Sequence, residues 1–285
     1  MIYVGTCGFG YKDWVGPFYP LKTKPAEMLP YYARRFRAVE IDSSYYGVPQ
    51  ARSVASMVAR TPANFRFSFK APQTVTHPAD HLSLTVHDDA ELLVEAVAPA
   101  LSAGKLACIL LQFPNGMRPE RNREKYVARA VEAFGDLPVV VEFRNREWQR
   151  PETMEMLREL GAGYCNVDMP HLEGLLHPSS DATGQVGYVR FHGRNAKNWW
   201  RGTNVTRYDY SYSSDELLPW TGRVAEIAAQ TRDTYVYFNN HAYGKAAANA
   251  EMFEALLDDQ YGPQADAEVA HAPGVKDVEQ KSLFE

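Results

Sequence analysis

The sequence predicts a single (β/α)₈ barrel. Eight short apolar, β-branched runs recur along the 285 residues, and helix-like stretches separate most of them. This length is usual for one domain of that fold. Near-continuous apolar strands that alternate with helices indicate a parallel sheet covered on both faces. Eight such units favour closure into a barrel over the alternative, an open doubly wound sheet.

The predicted strands are 4 to 7 residues long and rich in Val, Ile, Leu, Tyr and Phe. They are Ile2–Gly5, Ala38–Asp42, Phe65–Lys70, Ala107–Phe113, Val139–Arg144, Gly163–Asp168, Val186–His192 and Thr234–Asn239. The predicted helices are Pro25–Phe36, Ala51–Arg60, Asp88–Ala103, Pro119–Phe134, Arg150–Leu160, Ser214–Gln230 and Lys245–Asp258. The sixth connection, Met169 to Gln185, is too short and irregular for a full helix.

Charge, cysteine content and the length of apolar runs limit the classes of protein to which this chain can belong. The formal net charge is -5, and residues 262–285 carry -3 of it, so the barrel gives no reason to expect bulk affinity for nucleic acid. The three cysteines lie far apart in apolar runs, which predicts buried thiols in a reducing compartment. No apolar run reaches about 18 residues, the length needed to span a bilayer. We therefore expect a cytoplasmic protein with no membrane partner.

Polar residues stand where the inside of a barrel is normally apolar. Alternate residues of a strand face the same side, and four pairs with this spacing end four predicted strands. The pairs are Glu40 and Asp42, Ser68 and Lys70, Glu142 and Arg144, and Arg190 and His192. Buried charges are costly unless they are paired, and two acidic pairs facing cationic side chains would pair them. Active sites of this fold lie at that end of the barrel, so we expect the site there.

The loops after these strands add further polar and aromatic candidates. They include Tyr11, Trp14, His77, Gln112, Trp148, Asn240 and His241. The seventh loop combines the cations Arg194, Lys197, Arg201 and Arg207 with Trp199, Trp200, Tyr208, Tyr210 and Tyr212. Cations interleaved with aromatic faces suit an anionic ligand with flat rings or sugars, such as a nucleotide or a single nucleic-acid strand. An ordinary loop anchored by its aromatic residues is the alternative.

Many separate motifs resemble one known family. They are GTCGFGYKDWVGPFYP, VEIDSSYYGVP, FSFKAP followed by VTHP, LLQFP, VVEFRNREW, YVRFHG and YFNNHAYGKAAANA. Together they resemble the YecE-like family, catalogued as domain of unknown function 72, from Val4 to about Leu257. The resemblance implies a (β/α)₈ barrel and assigns no role to any residue. It supports as family-pattern positions Glu40, Asp42, Lys70, His77, Gln112, Glu142, Arg144, Arg190, His192, Asn240 and His241.

Three chemistries fit these residue types. In the metal-free version, Glu142 is a base or His192 an acid, while Lys70 and Arg190 clamp a phosphate or carboxylate. A divalent metal could instead be held by some of His77, Glu142, Asp168, His192 and His241, although nearby arginines would compete for the carboxylates. A carbohydrate-active version uses Glu40 and Glu142 as paired carboxylates.

The chain after Tyr261 changes in composition and lacks helical or strand periodicity. We expect a barrel over residues 1–261 and a flexible tail over 262–285. The tail ends with Gln280, Leu283 and Phe284 in a spacing that resembles the peptide by which bacterial partners bind the DNA sliding clamp. The alternative is that Leu283 and Phe284 dock back on the barrel.

The leading hypothesis is a hydrolase in DNA repair or replication, tethered to the sliding clamp, that acts on a phosphate-bearing or nucleic-acid substrate. Its rivals are a carbohydrate-active hydrolase and a non-catalytic module that binds a nucleotide or DNA end. The candidate catalytic residues are Glu142, His192, Glu40, Asp42 and Lys70. The candidate substrate-binding residues are Tyr11, Trp14, His77, Gln112, Arg144, Trp148, Arg190, Arg194, Asn240 and His241.

Overall fold

Eight parallel strands form a closed barrel in a computed structural model that describes residues 1–77 and 86–262. The strands follow one another around the barrel in chain order, and β8 pairs with β1 to close it. They are β1 Ile2–Cys7, β2 Ala38–Ile41, β3 Arg66–Lys70, β4 Leu106–Gln112, β5 Val139–Glu142, β6 Gly163–Asp168, β7 Val186–Phe191 and β8 Asp233–Phe238. The predicted fold class is confirmed, with strand ends that differ from the prediction by one or two residues.

Helices connect most of the strands and cover the barrel. They are α1 Pro25–Tyr32, α2 Ala51–Ala59, α3 Gln73–Thr76, α4 Val86–Ser102, α5 Arg121–Glu132, α6 Pro151–Glu159, α7 Asn204–Arg207, α8 Ser214–Ala228 and α9 Lys245–Tyr261. Single 3₁₀ turns lie at Lys12–Trp14, Asp42–Tyr45, Arg146–Trp148, Ala196–Asn198 and Ala242–Gly244. As predicted, the connection between β6 and β7 forms no helix. None of the described helices is long and apolar enough to cross a bilayer.

Tyrosine rings fill the amino-terminal half of the barrel, where branched aliphatic side chains are usual. Tyr3 of β1 stacks on Tyr235 of β8 with ring centroids 5.0 Å apart, and Tyr188 of β7 lies 5.3 Å from Tyr237. Tyr188 and Tyr237 lie nearer the carboxyl ends of the strands, and their hydroxyls contact buried polar groups. The Tyr188 hydroxyl donates to a Glu40 carboxylate oxygen at 2.8 Å, and the Tyr237 hydroxyl lies 3.1 Å from the Ser68 hydroxyl. The tyrosines therefore separate the apolar base from a polar upper layer.

The hydroxyl of Tyr32 joins helix α1 to two strands. It accepts a hydrogen bond from the Thr6 backbone N–H at 2.8 Å and donates one to the Ala38 carbonyl at 3.1 Å. All three residues are buried. A buried N–H that loses its acceptor costs about 1–3 kcal/mol, because water cannot replace the lost partner.

We expect Tyr32→Phe to lower the free energy of unfolding by about 1–3 kcal/mol for that reason. Urea denaturation followed by circular dichroism measures the change. Tyr31→Phe is the matched control, since the neighbouring ring is only partly buried. Equal stability of the two variants would contradict the proposed role of the Tyr32 hydroxyl.

Candidate active site at the carboxyl ends of the strands

Arg190 is the centre of a buried ion network inside the barrel. Its terminal nitrogens bind Glu142 Oε2 at 2.5 Å and Glu40 Oε1 at 2.7 Å. Both carboxylates are fully buried, and the Arg190 side chain is nearly so. Glu40 lies on β2, Glu142 on β5 and Arg190 on β7, so the guanidinium bridges opposite sides of the barrel. The predicted pairing of inward-facing charges is present in this network.

The second oxygen of Glu142 serves two more side chains. Arg144 Nε lies 2.5 Å and His192 Nε2 lies 3.1 Å from Glu142 Oε1. The amide nitrogen of Asn239 lies 3.1 Å from His192 Nδ1. Because the amide can only donate, Nδ1 accepts and the single ring proton sits on Nε2, which donates to Glu142. His192 is thus a neutral, oriented donor rather than a free acid.

Electrostatics fix the charge states of Glu142 and His192. Burial alone would raise the pKa of Glu142, but Arg144, Arg190 and His192 outweigh burial and hold this pKa well below its usual range. Burial, assisted by the charge of Arg144, lowers the pKa of His192 to about 3 despite the opposing effect of Glu142. Near neutral pH the network therefore holds ionised Glu142 and neutral His192. Neither is suited to donate a proton.

A cavity of about 320 Å³ opens above this network. Its predicted residues are Asp42, Lys70, His77, Gln112, Arg144, Arg190 and His241. The seventh-loop candidates Trp199, Trp200, Arg207 and Tyr208 also line it, and the remaining lining residues are Tyr45, Tyr46, Pro114, Asn115, Leu175 and Asn239. Asp42 is the one acid among these described residues, against the four cations Lys70, Arg144, Arg190 and Arg207. The cavity is therefore cationic with aromatic walls.

Lys70 and Asp42 are two groups in the cavity whose pKa values are shifted toward neutrality. Burial, together with the charge of Arg190, lowers the pKa of Lys70 to about 8. Burial and the charge of Glu40 raise the pKa of Asp42 above its usual value. By contrast, burial lowers the pKa of His77 to about 4, so this ring is neutral. Proton transfer in the cavity is therefore best served by Lys70 and Asp42.

Tyr11 and Trp14, from the first loop, support one wall without lining the cavity. The Tyr11 ring stacks on His241 with centroids 4.8 Å apart, and its hydroxyl lies 3.4 Å from Asp42 Oδ2. The indole of Trp14 donates to the His241 backbone oxygen at 2.7 Å. Both residues act on the cavity through the orientation of His241 and Asp42.

The positions of Asp168 and Arg194 differ from the sequence prediction. Asp168 faces the helix layer and is fully buried there, where it accepts hydrogen bonds from Arg194, Tyr212 and Trp220. It is therefore not at the rim with the other candidate metal ligands. Arg194 is held by Asp168 and does not reach the cavity. The segment that contains Trp199, Trp200, Arg207 and Tyr208 does reach it.

Two more predicted substrate-binding residues are structural. Trp148 is buried in the outer core, stacked on Phe143 at 4.2 Å, with its indole N–H bound to the Met117 carbonyl. Asn240 points away from the cavity and donates to the Tyr210 carbonyl and to Asn249 Oδ1. Its neighbour Asn239 faces inward instead, because consecutive residues of an extended strand alternate sides.

Several lining residues were not predicted from the sequence, above all Tyr45 and Tyr46. Both follow β2 in the motif VEIDSSYYGVP, and their position after a strand that ends in acids was the available signal. Asn115 and Leu175 come from the fourth and sixth connections. Leu175 carried no chemical signal at all, since an apolar residue in an irregular segment resembles ordinary core.

The described residues contain no group of three or more His, Cys, Asp or Glu side chains arranged to hold a metal ion. Of the candidate ligands, Glu142 binds His192 and the two arginines. The three cysteines are buried free thiols, as predicted, and burial raises the pKa of Cys7 well above its usual value. The tail residues Gln280, Leu283 and Phe284 lie outside the described residues.

The closed barrel and the cationic cavity at the carboxyl ends of its strands define a (β/α)₈ protein with the site in the position usual for enzymes of this fold. Residues 3–273 match the sequence profile of the family described as "Protein of unknown function DUF72". The chain belongs to this family, and the resemblance to YecE-like proteins is confirmed.

One relative and one solved structure match over most of the chain, and a second relative matches over a shorter segment. UPF0759 protein YunF of Bacillus subtilis is 34% identical over 277 residues, which cover 92% of this chain and 96% of that protein. UPF0759 protein YecE of Escherichia coli K12 is 33% identical over 79 residues, 28% of this chain and 26% of YecE. The crystal structure of a DUF72 family protein from Thermotoga maritima MSB8 superposes with a TM-score of 0.83 at 36% identity, covering 90% of this chain and 99% of that one.

We expect Glu142→Gln to lower the free energy of unfolding by about 3–5 kcal/mol, since removing its charge leaves two buried guanidiniums undercompensated. Urea denaturation at pH 7.5 measures the change. Glu147→Gln is the control, because Glu147 pairs with Arg118 at 3.1 Å on the surface, where such pairs contribute about 0–1 kcal/mol. A Glu142→Gln loss no larger than that of the control would show that the network does not stabilise the fold.

Proposed function

We propose that this protein is an enzyme that binds a phosphate-bearing substrate containing a ring, and that nucleotides or single-stranded nucleic acid are the favoured class. The observation that carries this proposal is the cavity, in which cations outnumber acids and aromatic side chains form the walls. Guanidinium groups bind phosphate oxygens strongly, and aromatic faces stack on bases or sugars. The cavity is also large enough for a ligand of that size.

Charge counting supports an anionic ligand. In the buried network, Arg144 and Arg190 balance Glu40 and Glu142. Above it, Lys70 and Arg207 stand against Asp42, which leaves one positive charge when all three are ionised. Arg144 is held through Nε, so its terminal nitrogens can serve a ligand. A phosphate entering the cavity would therefore meet donors and an uncompensated charge together.

The reaction class that we favour is hydrolysis of a phosphoester or glycosidic bond. Asp42 lines the cavity, and its raised pKa makes it more readily protonated than an ordinary aspartate, which suits a proton-transfer group. The rival carbohydrate-active mechanism needs one of Glu40 and Glu142 to act as a general acid with a raised pKa. Both carboxylates instead bind Arg190 below the cavity, and the pKa of Glu142 is lowered. The geometry therefore favours the phosphate-bearing substrate.

We expect Arg207→Met to weaken binding of adenosine 5′-monophosphate by about tenfold to a hundredfold, the effect of losing one charge-assisted hydrogen bond. Arg207 forms no ion pair with the described carboxylates, so the variant leaves the buried network intact. Quenching of tryptophan fluorescence measures the affinity, because Trp199 and Trp200 line the cavity.

The control variant is Arg158→Met, which removes an exposed arginine of α6, and the control ligand is adenosine. Affinity for adenosine should not change in Arg207→Met. The same preparations are incubated with the nucleotide and with a short single-stranded oligonucleotide, and products are separated by chromatography. Released phosphate, base or shortened strand supports an enzyme, whereas binding without product supports the non-catalytic module. Absence of binding by the wild-type protein to either ligand would refute the proposal.

We propose, separately, that the terminal residues Gln280, Leu283 and Phe284 bind the DNA sliding clamp and thereby place the barrel in DNA repair or replication. The support is the spacing of a glutamine and two apolar residues at the end of a polar, acidic segment. The glutamine would offer an amide to the pocket edge, and the two apolar side chains would fill an apolar pocket.

We expect the intact protein to bind the clamp of its host with micromolar affinity, on the order of -8 kcal/mol. The double variant Leu283→Ala/Phe284→Ala should lose this binding, as measured by calorimetry, while still binding adenosine 5′-monophosphate. Equal clamp binding by wild type and double variant, or none by either, would remove the proposed tether.

A further inference from the structure

Lys70, which is partly exposed at the cavity, differs from the buried cations in how few of its N–H groups form hydrogen bonds. Its ammonium group donates to Gln112 Oε1 at 2.9 Å and lies 4.1 Å from the centre of the Tyr45 ring. No described carboxylate forms an ion pair with it. Lys105, by contrast, donates to the Val58 and Thr61 carbonyls and to the Thr61 hydroxyl. Lys105 is therefore a structural lysine, whereas Lys70 keeps hydrogen-bonding capacity directed at the cavity.

The surroundings of Lys70 favour a neutral amine. Burial and the charges of Arg190 and Arg144 lower its pKa to about 8, although Glu142 and Glu40 act in the opposite direction. About half of the molecules then carry an unprotonated amine at pH 8. A neutral lysine amine has a free electron pair and can attack an electrophilic carbon.

We propose that Lys70 forms an imine with the carbonyl carbon of a phosphate-bearing sugar bound in the cavity. This inference rests on the proposed function, because the phosphate held by Arg144 and Arg207 is what would place the sugar beside the amine. Gln112 and Tyr45 restrict the position of the lysine side chain. Lys70 would then be a covalent catalyst and not only a phosphate-binding cation.

The proposed step balances with groups that line the cavity. The nitrogen electron pair of Lys70 attacks the carbonyl carbon, and the oxygen takes up a proton to give a carbinolamine. Asp42, in its protonated form, donates the proton with which the hydroxyl leaves as water, and the C=N bond forms as nitrogen loses its remaining proton to the Asp42 carboxylate or to solvent. Addition of water reverses the step and restores the amine. With a glycosidic substrate, the amine would instead displace the leaving group from the anomeric carbon, Asp42 would give that group a proton, and opening of the sugar ring would yield the same imine, from which water releases the sugar.

The test is trapping with ribose 5-phosphate and sodium cyanoborohydride, which delivers hydride to the imine carbon and leaves a stable secondary amine. We expect one adduct per chain, located at Lys70 by peptide mass mapping of the wild-type protein. Lys70→Arg should abolish this adduct, whereas Lys125→Arg, at an exposed lysine of α5, should not change it. Ribose without phosphate should give at least about tenfold less adduct, and trapping should increase as pH rises through about 8.

Each alternative outcome has a distinct meaning. Labelling spread over surface lysines, or a labelled Lys70→Arg variant, overturns the assignment of the nucleophile. Ribose 5-phosphate that binds in the fluorescence assay but gives no adduct at Lys70 overturns the imine and leaves the proposed function standing. Absence of both binding and adduct refutes the imine, and it also removes the phosphate-binding proposal if adenosine 5′-monophosphate fails to bind. Mapping on the wild-type chain keeps the test valid even if Lys70→Arg does not fold.

Discussion

The bridge from Arg190 to Glu40 and Glu142 is the interaction on which the upper half of the barrel depends. Two carboxylates without a cation could not remain ionised in a space from which water is excluded. With Arg190 between them, Glu142 keeps its charge and can in turn hold Arg144 and His192. The side chains that form the cavity floor are thus oriented by one guanidinium, whose two terminal nitrogens bind carboxylates on different strands.

This arrangement divides the polar residues into two layers with different tasks. Glu40, Glu142 and His192 lie below and form buried hydrogen bonds with fixed partners. Lys70 and Asp42 lie above, face the cavity and have pKa values moved toward neutrality. Burying a group that changes its charge is costly unless solvent or a ligand can reach it, so such groups lie at the cavity. The residues that stabilise the barrel and the residues that can exchange protons therefore lie at different heights along the barrel axis.

The sequence predicted the barrel well because the alternation of strands and helices depends on local patterns. It also predicted the inward-facing pairs, because side-chain parity within a strand is a property of the backbone. Prediction was weaker just beyond the strands. Asn240 and Asp168 are as polar as Asn239 and Arg190, yet they face the helix layer. Strand alternation places Asn240 opposite Asn239, but it does not say which of the two sides faces inward. Contacts between distant segments, such as Trp220 with Asp168, decide that. The imine, the reaction and the tail motif remain predictions.

Asp168 also has a consequence for how members of this fold can diverge. It fastens the two ends of the seventh loop to the outside of the barrel through Arg194 and Tyr212. Within the intervening stretch, Trp199 is buried and packs with Tyr208 against His192, whereas Trp200 is exposed at the cavity. Mutations at Trp200 can therefore accumulate with little effect on folding, and selection can change ligand preference there while the barrel and its buried ion network stay constant.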